Sequence, residues 1–394
     1  MALIQRSYTR VSTLITRINK NSYSTASSRN ENIKKSVFIS QSKDIYTNLA
    51  LEDWLYKNFD FKNHHVLMLW QNDPCVVIGR HQNPWLEANV TQLPLIGEQG
   101  VQLARRNSGG GTVYHDNGNL NLTFFTPREQ YNRKYNLEII SRSLFREYDM
   151  KVDITPREDL VIRNNKQISG TAAKLGRTAA YHHCTLLVNV NKMDLSLALQ
   201  KLEADIKTTA TKSVKSKVMN LREENPNVEI SNLIKAVGWE YMRTHALKLI
   251  DGGMELANKQ NGFQMLNPTN DWFPGLNEIR NELTSWDWHY GKTPKFDITK
   301  SFKIPEYLQE NYGINEDLKV TLVVEHGKIS DISLYVPPGL SANGFSGNAN
   351  VITSLIGHTF SDDALNSLES MIGGLVSEKD RFVSECLKQV MTSF

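Results

Sequence analysis

Acidic side chains are missing from the first 30 residues of this 394-residue chain. That stretch carries Arg6, Arg10, Arg17, Lys20 and Arg29, and it is rich in Ser and Thr. Leu3, Ile4, Val11, Leu14, Ile15 and Ile18 can share one helical face opposite the arginines. Arg-rich, Ser-rich and acid-free composition predicts a mitochondrial or plastid transit peptide over residues 1–35. The continuous apolar run of a secretory signal is absent. No run of about 18 apolar residues occurs anywhere, so no membrane-spanning helix is expected. Cysteine is scarce. Cys75, Cys184 and Cys386 lie far apart, which excludes a disulfide framework and a zinc pattern and suits a reducing compartment. The body of the chain also lacks excess positive charge. Residues 1–35 take seven of the 45 basic residues and one of the 42 acidic ones, leaving 38 against 41, a net of −3. A general nucleic-acid binder is not built that way.

What is present is ordinary globular material, 40% apolar and 22% charged. The length predicts two or three domains with a sizeable core. Asp44 should cap a helix running to about Tyr56. Strands are predicted at 66–70, 75–78, 101–106, 112–115 and 119–125, with Asp116-Asn117-Gly118 as a hairpin turn between the last two. A helix is expected over 137–148. Short strands at 160–162 and 168–169 should flank an Asn164-Asn165 turn, with another strand over 185–190. Two or three helices are expected within 194–248. The Trp-, Gly- and Pro-dense stretch from Trp272 to Pro294 reads as ordered but irregular. A hairpin around His326-Gly327 and helices near 362–372 and 379–391 close the chain.

Residues 105–125 are the most informative stretch. Arg105, Arg106 and Ser108 precede Gly109, Gly110 and Gly111, and apolar-polar alternation follows. Three glycines let a ligand approach the main chain closely. Their amides can form a concave anion site, and arginine supplies permanent charge for phosphate or carboxylate. The pattern is neither a P-loop nor a dinucleotide fingerprint. A second cluster runs from Lys166 to Lys174, with Arg157 and Asp159 upstream. A third is Tyr181-His182-His183-Cys184-Thr185. Adjacent histidines on a strand face opposite ways, so metal binding is not expected. Cys184 is open to two readings, a nucleophile paired with histidine or a small core filler.

Taken together the clusters resemble the lipoate–protein ligase and lipoyltransferase family, in particular the animal mitochondrial lipoyltransferases. The matching runs are 45–54, 77–85, 105–125, 168–172, 181–185 and 286–296, within a resemblance over about 36–390. It implies an α+β fold, a mixed sheet with flanking helices like the biotin/lipoate–protein ligase core. A catalytic, lipoyl-AMP-binding domain would span 36–290, and a linker with a small α+β accessory domain 291–394. The implied reaction passes a lipoyl group from lipoyl-AMP, or from lipoylated glycine-cleavage H protein, to one lysine of the lipoyl domains of 2-oxoacid dehydrogenase acyltransferase subunits. An amide results. ATP and magnesium enter only if the chain also activates lipoate. A monomer in the mitochondrial matrix is expected, with no metal, nucleic acid or membrane partner. Carried over by position, Arg106, Ser108, Gly109, Gly110, Gly111, Thr112, Val113 and Tyr114 would hold the adenylate phosphate and acyl end. Arg157, Thr185, Ala210 and Thr211 would contact the adenylate, with Asn121 close behind the loop.

One position departs from the family. Its essential lysine precedes the Ile/Val-Ser-Gly run, and here that position is Gln167, with Lys166 one place earlier. A shift of one residue in an extended segment turns a side chain to the opposite face. Either a bulge restores Lys166, the expected catalytic substitute, or Gln167 faces the ligand without charge. The alternatives to a transferase are an ATP-dependent ligase, a Cys184-dependent acyltransferase, and a non-catalytic lipoyl-AMP or lipoyl-domain binding protein.

Overall fold

The computed structural model describes residues 33–200, 206–243, 262–308, 316–338, 340, 345–350, 355–361, 364 and 378–391. The transit segment through residue 32 and most of the helix expected near 362–372 lie outside these residues.

Alternation along Asn119–Pro127 sorts side chains to two faces, and the main sheet is built around that strand. Its six strands run, edge to edge, Thr171–Leu175, Ala179–Leu187, Asn119–Pro127, His64–Trp70, Lys34–Ser40 and Gly262–Leu266. The first four are antiparallel, and Lys34–Ser40 pairs in parallel on both sides. One face carries Leu120, Leu122, Phe124, Cys184 and Leu186. It is covered by helices Arg133–Tyr148 and Ile230–Arg243. The other face carries Val66, Met68, Phe125 and Tyr181 and packs under helices Ile45–Asn58 and Leu276–Thr284. Helix Ile45–Asn58 starts where expected, because the Asp44 carboxylate accepts from Thr47 N at 2.9 Å.

Three smaller sheets complete the fold. Gln102–Arg105, Cys75–Ile78 and Val113–His115 form one, and Asp153–Ile154, Leu160–Ile162 and Lys166–Gln167 another. The third is C-terminal: Ile206–Thr208, Phe296–Phe302, Leu318–Glu325, Lys328–Val336 and Gly347–Asn350, with helix Glu378–Met391 against it. The architecture is thus the expected mixed sheet with flanking helices and a smaller C-terminal unit. The predicted hairpin at His326-Gly327 is present, with both residues at positive φ.

Three expectations change. Asp116-Asn117-Gly118 turns the chain without making a hairpin, since the strands on either side belong to different sheets. Asp116 Oδ1 accepts from Gly118 N at 2.7 Å and Oδ2 from Asn191 N at 2.8 Å, which re-aims the chain. The stretch after Trp272 is more regular than its composition suggests, with helix Leu276–Thr284 and a π turn at Asp287–Gly291. Among the described residues of 194–248, which leave out 201–205 and 244–248, the expected helices are present as the end of Lys192–Ala198, Leu221–Glu224 and Ile230–Arg243, but the strand Ile206–Thr208 is added to them.

Candidate active site at the glycine loop

Strand Gln102–Arg105 delivers two arginines to one end of the sheet, and their tasks differ. Arg105 is fully buried and clamps backbone. Its Nη1 donates to the carbonyls of Arg80 (2.9 Å) and Gln82 (2.8 Å). Its Nε and Nη2 donate to the carbonyl of His289 at 3.0 and 2.6 Å. Arg106 is 3% exposed and gathers the loop around itself. Its Nη2 donates to the carbonyls of Gly109 (2.7 Å) and Gly111 (2.6 Å), its Nη1 to Val77 O (3.0 Å) and its Nε to Ser108 Oγ (2.9 Å). Burial lowers both guanidinium groups to about 10, so both stay charged at neutral pH.

The loop therefore turns its carbonyls inward onto a cation. Among the described residues, the amides of Gly109, Gly110 and Gly111 donate to no protein acceptor. Gly110 holds φ at +88°, and a methyl group there would press on Arg106 and Ala172. This is a backbone cradle suited to an anion. Arg106 itself shapes the cradle and points into it from behind, rather than outward as a phosphate clamp would.

The surroundings come from several parts of the chain. Gly170 lies against Val113 and Thr185, donating its amide to Thr185 Oγ1 at 2.9 Å. Thr185 stands opposite Asn121 in the sheet register. The segment after Thr208 covers another side: Thr211 N donates to His81 O at 3.0 Å, and Ser213 Oγ accepts from Thr112 N at 2.8 Å. Ala210 is buried there. Gln82 and Glu87 lock that cover, with Gln82 Nε2 donating to Ser213 Oγ at 3.0 Å and Glu87 Oε1 accepting from Ser213 N at 3.1 Å. The turn carrying Arg157 flanks Thr171, and Arg157 itself is exposed beside Asp159. Gln82, Glu87 and Ser213 were not legible as site residues, because isolated polar residues carry no pattern.

Two anticipated residues fall elsewhere. Tyr114 alternates away from Val113, and its ring is buried with Val76, Ile78 and Leu103. Only its backbone borders the loop. Lys166 pairs with Ile162 and Gln167 with Val161 in a ladder without a bulge. Lys166 is exposed and lies toward Glu223, while Gln167 is half-buried. The Gln167 amide donates to Ser169 O at 2.6 Å and Asp159 Oδ1 at 3.2 Å. Register thus keeps the lysine on the far face, and no bulge re-aims it.

Cys184 faces the opposite side of the sheet, in the core beneath helix Arg133–Tyr148, and burial pushes its thiol up to about 12. It is core filler there, with no thiolate to act as a nucleophile. A cleft of about 730 Å³ lies at the Asp116–Gly118 turn, lined by Asp194, Arg222 and Glu229, away from the glycine loop. Among the described residues no group of three His, Cys, Asp or Glu could hold a metal, and no helix is long and apolar enough to cross a membrane.

Known proteins resemble this chain over most of its length. Residues 44–241 match the lipoyl protein ligase A/B catalytic domain. Human mitochondrial lipoyl amidotransferase LIPT1 is 43% identical over 298 residues, 75% of this chain and 74% of its own. Lipoate-protein ligase A of Bdellovibrio bacteriovorus is 32% identical over 305 residues, 77% of this chain and 83% of its own. Among solved structures, the P. falciparum LipL1 complex with lipoate superposes with a TM-score of 0.55 at 25% identity, covering 91% of this chain and 99% of that one. The chain belongs to the lipoyl protein ligase A/B catalytic domain family.

Proposed function

We propose that this chain is a mitochondrial acyltransferase that moves a lipoyl group from lipoyl-AMP to a lysine of a lipoyl domain. The observation that carries the reading is the glycine loop, with its carbonyls drawn onto Arg106 and its amides left outward at the end of the sheet. Such a cradle matches the phosphate of an acyl-adenylate. Gly109 to Val113 would hold that phosphate, the 210–213 segment and Arg157 would meet the nucleotide, and the sheet beside Thr185 and Asn121 would take the acyl chain.

The chemistry asks little more of the protein. An acyl-adenylate is a mixed anhydride, already activated at its carbonyl. The lysine nitrogen forms the new C–N bond, the C–O bond to phosphate breaks, and AMP leaves with that electron pair. The nitrogen loses a proton to solvent. Positioning and stabilisation of the developing negative charge do most of the work. Gln167 carries no charge where the resemblance implies lysine, its amide protons already go to Ser169 O and Asp159 Oδ1, and no cation from Lys166 replaces it. Loss of one oxyanion donor is worth about 3–4 kcal/mol elsewhere, and this sets the scale of the deficit.

Likeness to both an amidotransferase and a ligase keeps ATP-dependent activation as the second reading. Lipoylated glycine-cleavage H protein is the second acyl donor to consider, and the acceptors would be lipoyl domains of 2-oxoacid dehydrogenase complexes. The purified protein is given lipoyl-AMP and an isolated lipoyl domain, with ATP plus free lipoate run alongside. Lipoylation of the domain from lipoyl-AMP is expected. Pyrophosphate release from ATP and lipoate alone would establish the ligase. Binding of lipoyl-AMP without single-turnover transfer would leave a binding protein instead.

A further inference from the structure

Behind the glycine loop, a chain of hydrogen bonds joins two buried charges that are far apart in sequence. Glu52, on helix Ile45–Asn58, is 2% exposed. Its Oε1 accepts from Thr123 Oγ1 at 2.8 Å and lies 2.9 Å from His183 Nδ1. His183 Nε2 is 2.8 Å from Ser108 Oγ, which accepts from Arg106 Nε at 2.9 Å. Trp70 Nε1 closes the far end, donating to Thr123 Oγ1 at 3.0 Å.

The partners fix the direction of the chain. A guanidinium only donates and a carboxylate only accepts. His183 therefore carries a proton on Nδ1, toward Glu52, and in the neutral imidazole Nε2 receives the Ser108 hydroxyl proton. The arrangement has the order of a Ser-His-Glu hydrolase triad, but Ser108 is 1% exposed and its oxygen is already bound by Arg106. It is thus no nucleophile. What the chain does is connect a carboxylate on one helix to the guanidinium that bends the loop. The negative charge of Glu52 also favours the charged form of Arg106 against its burial.

We propose that Glu52 and His183 are positioning residues for the anion cradle: they fix Ser108 and Arg106, and through them aim the Gly109–Gly111 amides at an acyl-adenylate phosphate. The inference rests on the acyl-adenylate reading of the site. Neither residue needs to touch the ligand.

The test measures affinity for a sulfamoyl mimic of octanoyl-adenylate, and separately for octanoic acid, by calorimetry on the full chain. Glu52→Gln, Ser108→Ala and the double variant are compared with the parent. Each single change should weaken binding of the mimic about tenfold or more, the scale of a lost hydrogen bond to a charged group. Affinity for the acid, which lacks the phosphate, should move by less than about twofold. The double variant should bind no worse than the weaker single, because both changes cut one chain. Additive losses, equal losses for mimic and acid, or unchanged affinity would each overturn the proposal. If Glu52→Gln does not fold, His183→Asn takes its place in the same cycle. A parent protein that does not bind the mimic at all would instead refute the acyl-adenylate reading beneath it.

Discussion

Gly79 has no room for a methyl group, because a Cβ there would collide with the carbonyl oxygen of Gly110. Strand Cys75–Ile78 ends at this point, and the glycine loop packs directly over it. Gly79→Ala should therefore displace the cradle rather than the core. Transfer from lipoyl-AMP should fall at least about tenfold while melting temperature changes little; a variant with parental kinetics would show that the loop tolerates the shift. Gln167 supports the opposite kind of prediction. Its amide already reaches Asp159 and the carbonyl of Ser169, so a lysine there would have a carboxylate partner beside the site. Gln167→Lys should raise the rate of transfer, and of any adenylation, by about tenfold or more. An unchanged rate in a single-turnover assay would mean that the missing charge is supplied by another group.

Elements answer to caps and faces. The Asp44 carboxylate closes the first turn of helix Ile45–Asn58, accepts from Thr47 Oγ1 at 2.6 Å and receives Arg280 Nε at 3.1 Å from helix Leu276–Thr284. Asp44→Ala should destabilise the protein by about 1–2 kcal/mol, the value of an N-cap, read as a lower midpoint in urea with an unchanged slope. Elements of this kind were legible in the sequence. The Asp44 cap, the alternation over residues 119–125 and the His326-Gly327 turn are local patterns, and each produced the element expected. The hairpin at Asp116–Gly118 did not form, because the side-chain contact from Asp116 to Asn191 is long-range and invisible to local turn chemistry. The glycine loop was legible as a close backbone turn, but the orientation of Arg106 was not. Sequence gives the charge of an arginine and says nothing of which carbonyls will fold back onto it. Glu52 and His183 lie 131 residues apart and meet only through sheet pairing and helix packing.

At the scale of the whole molecule, Lys35 ties the far face of the sheet to helix Ile230–Arg243. It is 3% exposed, donates to Tyr241 O at 2.7 Å, and burial lowers its ammonium to about 7 from 10.5. The unfolded chain then binds more protons than the folded one between about pH 7 and pH 10.5, so this group adds stability as pH rises through that window. Its slope is at most about 1.4 kcal/mol per pH unit. The melting temperature of the parent should climb from pH 7 to pH 9 relative to Lys35→Met, and parallel curves would remove Lys35 as the cause. Integrity of the whole also depends on strand Ile206–Thr208, which pairs with Phe296–Phe302 while only two residues separate it from Thr211 at the glycine loop. Trp85, on the short helix that carries Glu87, is rooted in the C-terminal core beside Phe296 and Phe360. The cover of the glycine loop is thus on a short leash held by the C-terminal sheet. The two units are mechanically one device: losing the C-terminal sheet would unpair Ile206–Thr208 and uproot Trp85, and so free the segments that cover the glycine loop.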